Sequence, residues 1–367
     1  MTKFFVCDIY AHSSEHSMFV ESFIDYFESN SDVAYLLNET HSKYIKSNHK
    51  VFKFFIKDTF CKSPVTRLFN REIVKSIRLL LLLPYIILSK RKLVVLGTSN
   101  IQTYLLSFLK FLSFIHVSVI FHSQLESLVK EPSERRRFGG IFIKSFKSMH
   151  DSKVFNILVL GEHIKENLQQ LGFSNVSSIP HPIPKASLLD LKPKRENIDL
   201  KHHIAMVGLI RNDAKNCNKI YDLKMGDSVH AHVIGRAKPD FKIIKKDNIT
   251  FTLWNDIYTE EQFVSEVDIV DSFIYFFSED DYKLTASATA LDAIIYGKAV
   301  FSLRNRAVSS LLKNYPLFFE FDTVEEMSDA INKFDLNLLH SVDFNSQREE
   351  FLIQNFEGKL KFWLHQQ

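Results

Sequence analysis

Glycine is scarce in this chain, 10 residues among 367, and the scarcity removes whole classes of nucleotide site. Residues Asp8 to Ser17, which follow the first predicted strand, contain none, so no GxGxxG dinucleotide loop opens the chain. Gly297-Lys298 is followed by Ala299 and has no glycine at the upstream position, so it is not a GxxxxGK[ST] phosphate loop. HExxH and GxSxG are absent as well. The three cysteines, Cys7, Cys61 and Cys217, are far apart and form no CxxC pair. They exclude a disulfide framework and a zinc pattern, and they fit a reducing cytoplasm. Net charge is only +3, from 46 Lys and Arg against 43 Asp and Glu, too little for a nucleic-acid binder acting through bulk charge. Long apolar runs are missing too. The strongest, Leu79 to Leu88, is ten residues broken by Pro84, against the ~20 that a spanning helix needs. The N-terminal MTKFFVCDIY is too short a run for a signal peptide and reads as a strand.

What is present is a Phe-rich globular composition, with 34 Phe, 46% hydrophobic and 24% charged residues. At ~150 residues per domain the length predicts about two domains. Strands and helices alternate. Strands are expected at Lys3–Ile9, Asp32–Leu37, Leu93–Leu96, Val117–Phe121, Asn156–Leu160 and Val176–Ile179. Helices are expected at Ser17–Ser29, Ile73–Leu88, about Ile101 to Phe114, Arg137–Ser148 and Glu162–Leu171. Four prolines between Pro180 and Pro193 interrupt this rhythm, and His181–Lys194 reads as a linker. A second series follows at His203–Val207, Val229–Ile234, Ile249–Leu253, Ile269–Phe277, Ala299–Leu303 and Phe318–Phe321. Helices Ser287–Tyr296 and Val324–Phe334 accompany it, and a Phe-rich tail helix covers Ser346–His365. The pattern predicts an α/β chain of two doubly wound parallel-sheet domains, with a central cleft at the strand carboxyl ends. The boundaries are 1–184, 185–345 and a C-terminal helix 346–367 packing back toward the N-terminal domain.

The helices around Leu79–Leu88 and Tyr104–Phe114 carry more Leu and Phe than one buried face requires, and Arg78, Lys90, Arg91 and Lys92 flank them. One reading is a patch lying on an anionic membrane surface. The other is ordinary core helices beside a solvated basic turn.

The segment SEDDYKLTASATALDAIIYGKAV, Ser278 to Val300, carries the chemistry. Small residues Ala286, Ser287, Ala288 and Thr289 open a helix whose unpaired N–H groups and dipole suit a phosphate. The hydroxyls of Ser287 and Thr289 can add hydrogen bonds, and Asp292, one turn in, suits a ribose. A capped core helix is the competing reading.

On these residues and four earlier segments the chain resembles the GT-B superfamily of glycosyltransferases with a group 1 (family 4-like) C-terminal domain. GEHIKENLQQLGFSNVSSIPHPI, HIAMVGLIRNDAKN, VHAHVIG and NITFTLWNDIYTEEQFVSEVDIVDSFI occur in the family's order. LDAIIYGKAV is close to the family's EA-x-x-x-G-K-P-V. The likeness covers about residues 155 to 330 in motifs and the first half by architecture. Two departures are visible. The family's paired glutamates, eight positions apart, are Leu284 and Asp292 here, and its Phe-Gly is replaced by Tyr282-Lys283-Leu284.

The resemblance implies sugar transfer from a nucleotide-sugar donor, the co-substrate, to a saccharide or polyprenyl-linked acceptor in capsule, O-antigen or lipopolysaccharide assembly. It implies no metal or other cofactor and no nucleic acid, and a cytoplasmic protein peripheral at the inner face of the membrane. A diphosphate leaving group needs cations and N–H donors where its charge grows. Arg211 and Lys215, four residues apart after Gly208, are the candidates for that clamp, with Lys283 and Tyr282 as further contacts near the sugar. Trp254 and Asn255 fall where the family's base pocket forms. On the acceptor side His16 and His122 follow predicted strands and suit a general base, with Glu15 and Glu126 as carboxylate rivals. His181 reads as a hinge residue lining the cleft. A non-catalytic nucleotide-sugar-binding scaffold and a nucleotide-sugar epimerase of the same fold are the alternatives.

Overall fold

The computed structural model describes residues 2–11, 16–43, 68–135, 137–185, 201–213, 215–255, 259–278, 280 and 282–366. They fall into two compact units. The first lies within Met1–Ser187, Leu284–Ala286 and Phe351–Gln367, the second within Leu188–Lys283 and Ser287–Glu350.

The first unit is built on six strands, β1 Lys3–Asp8, β2 Asp32–Leu37, β3 Lys92–Gly97, β4 Val117–Phe121, β5 Phe155–Val159 and β6 Val176–Ser178. They pair in the order β2-β1-β3-β4-β5-β6 and every pairing is parallel. Parallel strands are buried on both faces by their crossover helices, so these read as nearly continuous apolar runs. The alternation shows in the packing. Phe5, Cys7, Leu93 and Val95 join one core, while Phe4, Val6, Val94 and Leu96 join the other.

The second unit repeats the plan with β7 His202–Ile210, β8 Val229–Ala237, β9 Ile249–Leu253, β10 Ser272–Tyr275, β11 Ala299–Leu303 and β12 Phe318–Phe321. Its order, β12-β11-β10-β7-β8-β9, again parallel, reverses direction between β7 and β10. Sheets of this kind bind ligands at the carboxyl ends of the strands flanking that reversal. In the first unit the reversal lies between β1 and β3.

Two expectations change. The helix expected over Ile73–Leu88 is a π-turn at Asn70–Val74 followed by helices Lys75–Leu81 and Leu83–Leu88, because Pro84 cannot continue the hydrogen-bond ladder. The tail is not one helix either. Helix Phe344–Glu349 belongs to the second unit, and a short 3₁₀ turn, Ile353–Phe356, precedes helix Glu357–His365 in the first. The break is imposed from far away: Ile183 N–H donates to Phe351 C=O at 2.9 Å and Ile183 bridges to Leu352, so this backbone is extended. The last helix then drives Trp363 into the core, fully buried, with its indole N–H on the Asn156 carbonyl at 2.9 Å. Trp363→Ala should therefore destabilise the first unit by about 3–5 kcal/mol in chemical unfolding, with Trp363→Phe losing clearly less.

Candidate functional site

In the second unit the reversal point gathers several of the candidate donor residues. Gly208, near the end of β7, has φ +86°, a conformation that favours glycine. Lack of a side chain matters there: a Cβ on Gly208 would stand 2.9 Å from Thr289 Cγ2 and 4.0 Å from Lys215 Nζ. The neighbouring strand makes the same demand. Gly235 pairs with Gly208, and a Cβ on Gly235 would lie 1.9 Å from the Gly208 carbonyl oxygen. Two glycines thus let the end of β7 close on the start of helix Ala288–Ile295.

Among the described residues no side chain caps that helix. Ser287 precedes it, but its hydroxyl lies 3.3 Å from the Thr289 hydroxyl rather than on a backbone N–H. The Thr289 carbonyl accepts from the Tyr275 hydroxyl at the end of β10, which pins the first turn to the sheet. Ala288 is exposed and Thr289 half-buried. An uncapped helix start with small side chains and hydroxyls presents N–H groups and a positive dipole end to an anion.

Lys215 stands beside it, 8% exposed, with its ammonium 5.8 Å from the Phe277 ring centroid. Burial pushes its pKa down to about 8, the nearby Arg211 adding to the depression while Cys217 and Asp292 oppose it. Burial pushes the Asp292 carboxyl up to about 7 against the pull of Lys215. The cation is thus poorly solvated and faces a carboxyl of raised pKa, which an arriving dianion would relieve. Arg211 takes another direction, donating to the Tyr282 hydroxyl at 3.4 Å and pairing with the exposed Asp213 at 3.3 Å. The loop between them is held from three sides. Asp240 accepts from the N–H groups of Asn212 and Asp213, Asn216 donates to the Phe276 carbonyl, and Cys217 Sγ accepts from Arg211 N–H.

Tyr282 has φ +62° and stacks on Phe277, ring centroids 4.7 Å apart. Lys283 is ion-paired with Asp280 at 2.7 Å on the exposed face of its turn. Trp254 and Asn255 follow β9, with Trp254 N–H on the Gly235 carbonyl at 2.9 Å, so both sit at the same carboxyl edge of the sheet as Gly208. Tyr275, Phe277 and the Gly235 pairing carry no motif of their own. A glycine inside a strand was the available signal for the last.

In the first unit His16, His122 and His181 surround Phe19. The His16 and His122 centroids are 5.1 Å apart, and Phe19 lies 4.9 Å from His122 and 5.3 Å from His181. His122 donates Nε2–H to the Leu96 carbonyl at 2.9 Å, which leaves Nδ1 with the lone pair. Burial, then the neighbouring His16, pushes its pKa down to about 3, so His122 is a neutral hydrogen-bonding group and a weak proton acceptor. Burial likewise takes His181 down to about 4. His16 is exposed, at the start of helix Ser17–Asn30 with φ +56°. Glu15 lies outside the described residues.

Glu126 acts on backbone instead. Its Oε1 accepts from Leu284 N–H at 2.8 Å, and the Thr285 carbonyl meets His163 Nε2 at 3.4 Å. Leu284 is fully buried among first-unit core residues. The position where the resembling family carries its first glutamate is here a core leucine, and the sequence read alone gave no sign of that burial.

No family model and no curated protein matches the chain. Among solved structures it is similar to the lipopolysaccharide outer core galactosyltransferase WaaB, at 14% identity and TM-score 0.57 over 99% of both chains. HepE of Anabaena, solved in complex with UDP and glucose, shares 8% identity at TM-score 0.65 over 98% of both. A glycosyltransferase of Rickettsia africae shares 10% at TM-score 0.55, over 99% of this chain and 96% of its own. These likenesses, with two six-stranded parallel sheets, show the GT-B fold.

Glu126→Ala should leave the Leu284 N–H unpaired and lower the melting temperature by the equivalent of about 1–3 kcal/mol, whereas Glu126→Gln keeps an acceptor oxygen and should stay close to the parent.

Proposed function

We propose that this GT-B chain is a glycosyltransferase that moves a sugar from a nucleotide-sugar donor to a saccharide or polyprenyl-linked acceptor in surface polysaccharide assembly, of the capsule, O-antigen or lipopolysaccharide kind. The observation that carries the reading is the close approach of Gly208 to Thr289 with the buried Lys215 alongside. It brings a poorly solvated cation and an uncapped helix start together at the sheet's reversal point, an arrangement suited to a diphosphate. HepE with UDP and glucose and the galactosyltransferase WaaB, which share the fold, support a nucleotide-sugar donor.

In this reading Lys215 and the N–H groups of Ala288 and Thr289 take the leaving diphosphate, and the Ser287 and Thr289 hydroxyls add donors. These protein groups, rather than a metal, neutralise the charge that develops as the bond to sugar C1 breaks. Arg211 closes over the same anion when it leaves Tyr282. Asp292 accepts from ribose hydroxyls, Trp254 and Asn255 border the base, and Tyr282 and Lys283 border the sugar. His16, exposed beside the neutral His122, is the better placed of the two to take the acceptor proton, with Glu15 as the carboxylate rival. The protein works in the cytoplasm, with peripheral contact to the inner membrane face, where a lipid-linked acceptor resides.

The burial of Leu284 favours one second reading, binding without turnover, because no carboxylate can stand at that position. Nucleotide release separates the two. UDP-, GDP-, dTDP- and CMP-sugars, with and without acceptor extract, should give acceptor-dependent nucleotide release for one donor class. Binding without release makes the chain a scaffold, and an isomerised sugar with no new linkage makes it a nucleotide-sugar epimerase. Arg211→Ala and Lys215→Ala should each cost turnover at least ~10-fold, more than they cost acceptor binding.

Proton uptake tests the site by an independent route. At pH 8.5 Lys215, at about 8, is mostly neutral, and a bound diphosphate raises its pKa. Nucleotide binding should then take up a fraction of a proton, seen by calorimetry in buffers of different ionisation heat. At that pH the uptake should be clearly smaller in Lys215→Met.

A further inference from the structure

Among the described residues no helix is long and apolar enough to cross a membrane. The first unit nevertheless exposes large apolar side chains in two stripes. Ile77 and Leu81, four residues apart on helix Lys75–Leu81, are 47% and 73% exposed, and Leu88, at the end of the next helix, is 83% exposed. Phe108, Phe111 and Phe114 are 48%, 73% and 65% exposed. The inward faces of these elements are already filled by Leu79, Ile86, Leu106 and Leu109, which are buried in the core. Core formation therefore does not require the outward stripes. The helices that carry them pack against each other, since Leu79 and Leu80 line one small cavity with Leu105 and Leu106.

Charge identifies the occupant. Residues 68–116 contain seven Lys and Arg and a single carboxylate, Glu72. Glu72 is buried and accepts from the Ser99 hydroxyl, so it offers nothing to the surface. Arg78, Lys90 and Lys110 are exposed among the stripes, and the Lys110 ammonium stands 5.0 Å from the Phe111 ring centroid. A second copy of this chain would set the same cations against each other across an isologous contact. Anionic phospholipid supplies both halves of the match, an apolar interior for the stripes and headgroup charge for the cations.

We propose that this face of the first unit is a monotopic docking surface for a bilayer rich in anionic phospholipid. The inference rests on the peripheral contact in the proposed function and gives it a location, but it does not need sugar transfer to occur. Leu81 and Phe111 enter the headgroup boundary and the three cations stay at phosphate level.

The test is sedimentation of the full chain with vesicles of equimolar phosphatidylglycerol and phosphatidylcholine against phosphatidylcholine alone, without nucleotide. Three cations at about fivefold each predict a preference for the anionic vesicles on the order of 100-fold at low salt, shrinking as salt rises. Leu81→Glu with Phe111→Glu should lower the partition at least ~10-fold with an unchanged melting curve. Arg78→Glu with Lys90→Glu, which leaves the apolar stripes intact, should abolish the anionic preference. Equal partition of parent and both double variants, or no sedimentation of the parent with anionic vesicles, overturns the proposal. So does a dimer in light scattering that the Leu81/Phe111 variant splits, which would make the face a contact between copies. Nucleotide binding unchanged in a variant that has left the vesicles separates this outcome from failure of the sugar-transfer reading.

Discussion

Two glycines facing each other across neighbouring strands allow everything else at the candidate donor site. Gly208 and Gly235 pair in register, and the space a Cβ would take at either is already occupied, by Thr289 in one case and by the Gly208 backbone in the other. Without a Cβ at Gly208, the start of helix Ala288–Ile295 lies against the end of β7, with the Lys215 ammonium nearby. The site is thus made by the absence of side chains as much as by their presence. Its cost is electrostatic: Lys215 is held where its charge is poorly solvated, and Asp292 where its carboxylate is.

The first unit treats its titratable groups differently. His122 is tied to Leu96 and kept neutral by burial, and Glu126 spends one carboxylate oxygen on the Leu284 backbone. Leu284–Ala286 belongs to this unit although Lys283 and Ser287, on either side, belong to the other. That three-residue excursion gives a physical reason for the leucine at a position where a glutamate would otherwise be expected. A carboxylate placed in that apolar core would have to be desolvated without a partner.

Much of the architecture was legible because it depends on local periodicity. Parallel strands such as Val117–Phe121, Ile249–Leu253 and Ala299–Leu303 announce themselves as short β-branched and aromatic runs, and they stand where the pattern places them. Features set by distant partners were not legible. The break in the tail comes from Ile183, which no window around Leu352 contains. Nothing local to Glu126 tells of the Leu284 amide, 158 residues away, that donates to it. The spacing of Arg211 and Lys215 says nothing of Tyr282, 71 residues on, which accepts from the Arg211 guanidinium, or of the burial of Lys215. Spacing specifies which side chains share a turn; burial and partners decide their charge and direction.

A crystal structure of the chain with uridine diphosphate bound is the decisive measurement. The diphosphate is expected at the carboxyl end of β7, with its oxygens within hydrogen-bond reach of Lys215 Nζ and the N–H groups of Ala288 and Thr289. A nucleotide lodged elsewhere, with the start of that helix unoccupied, would contradict it.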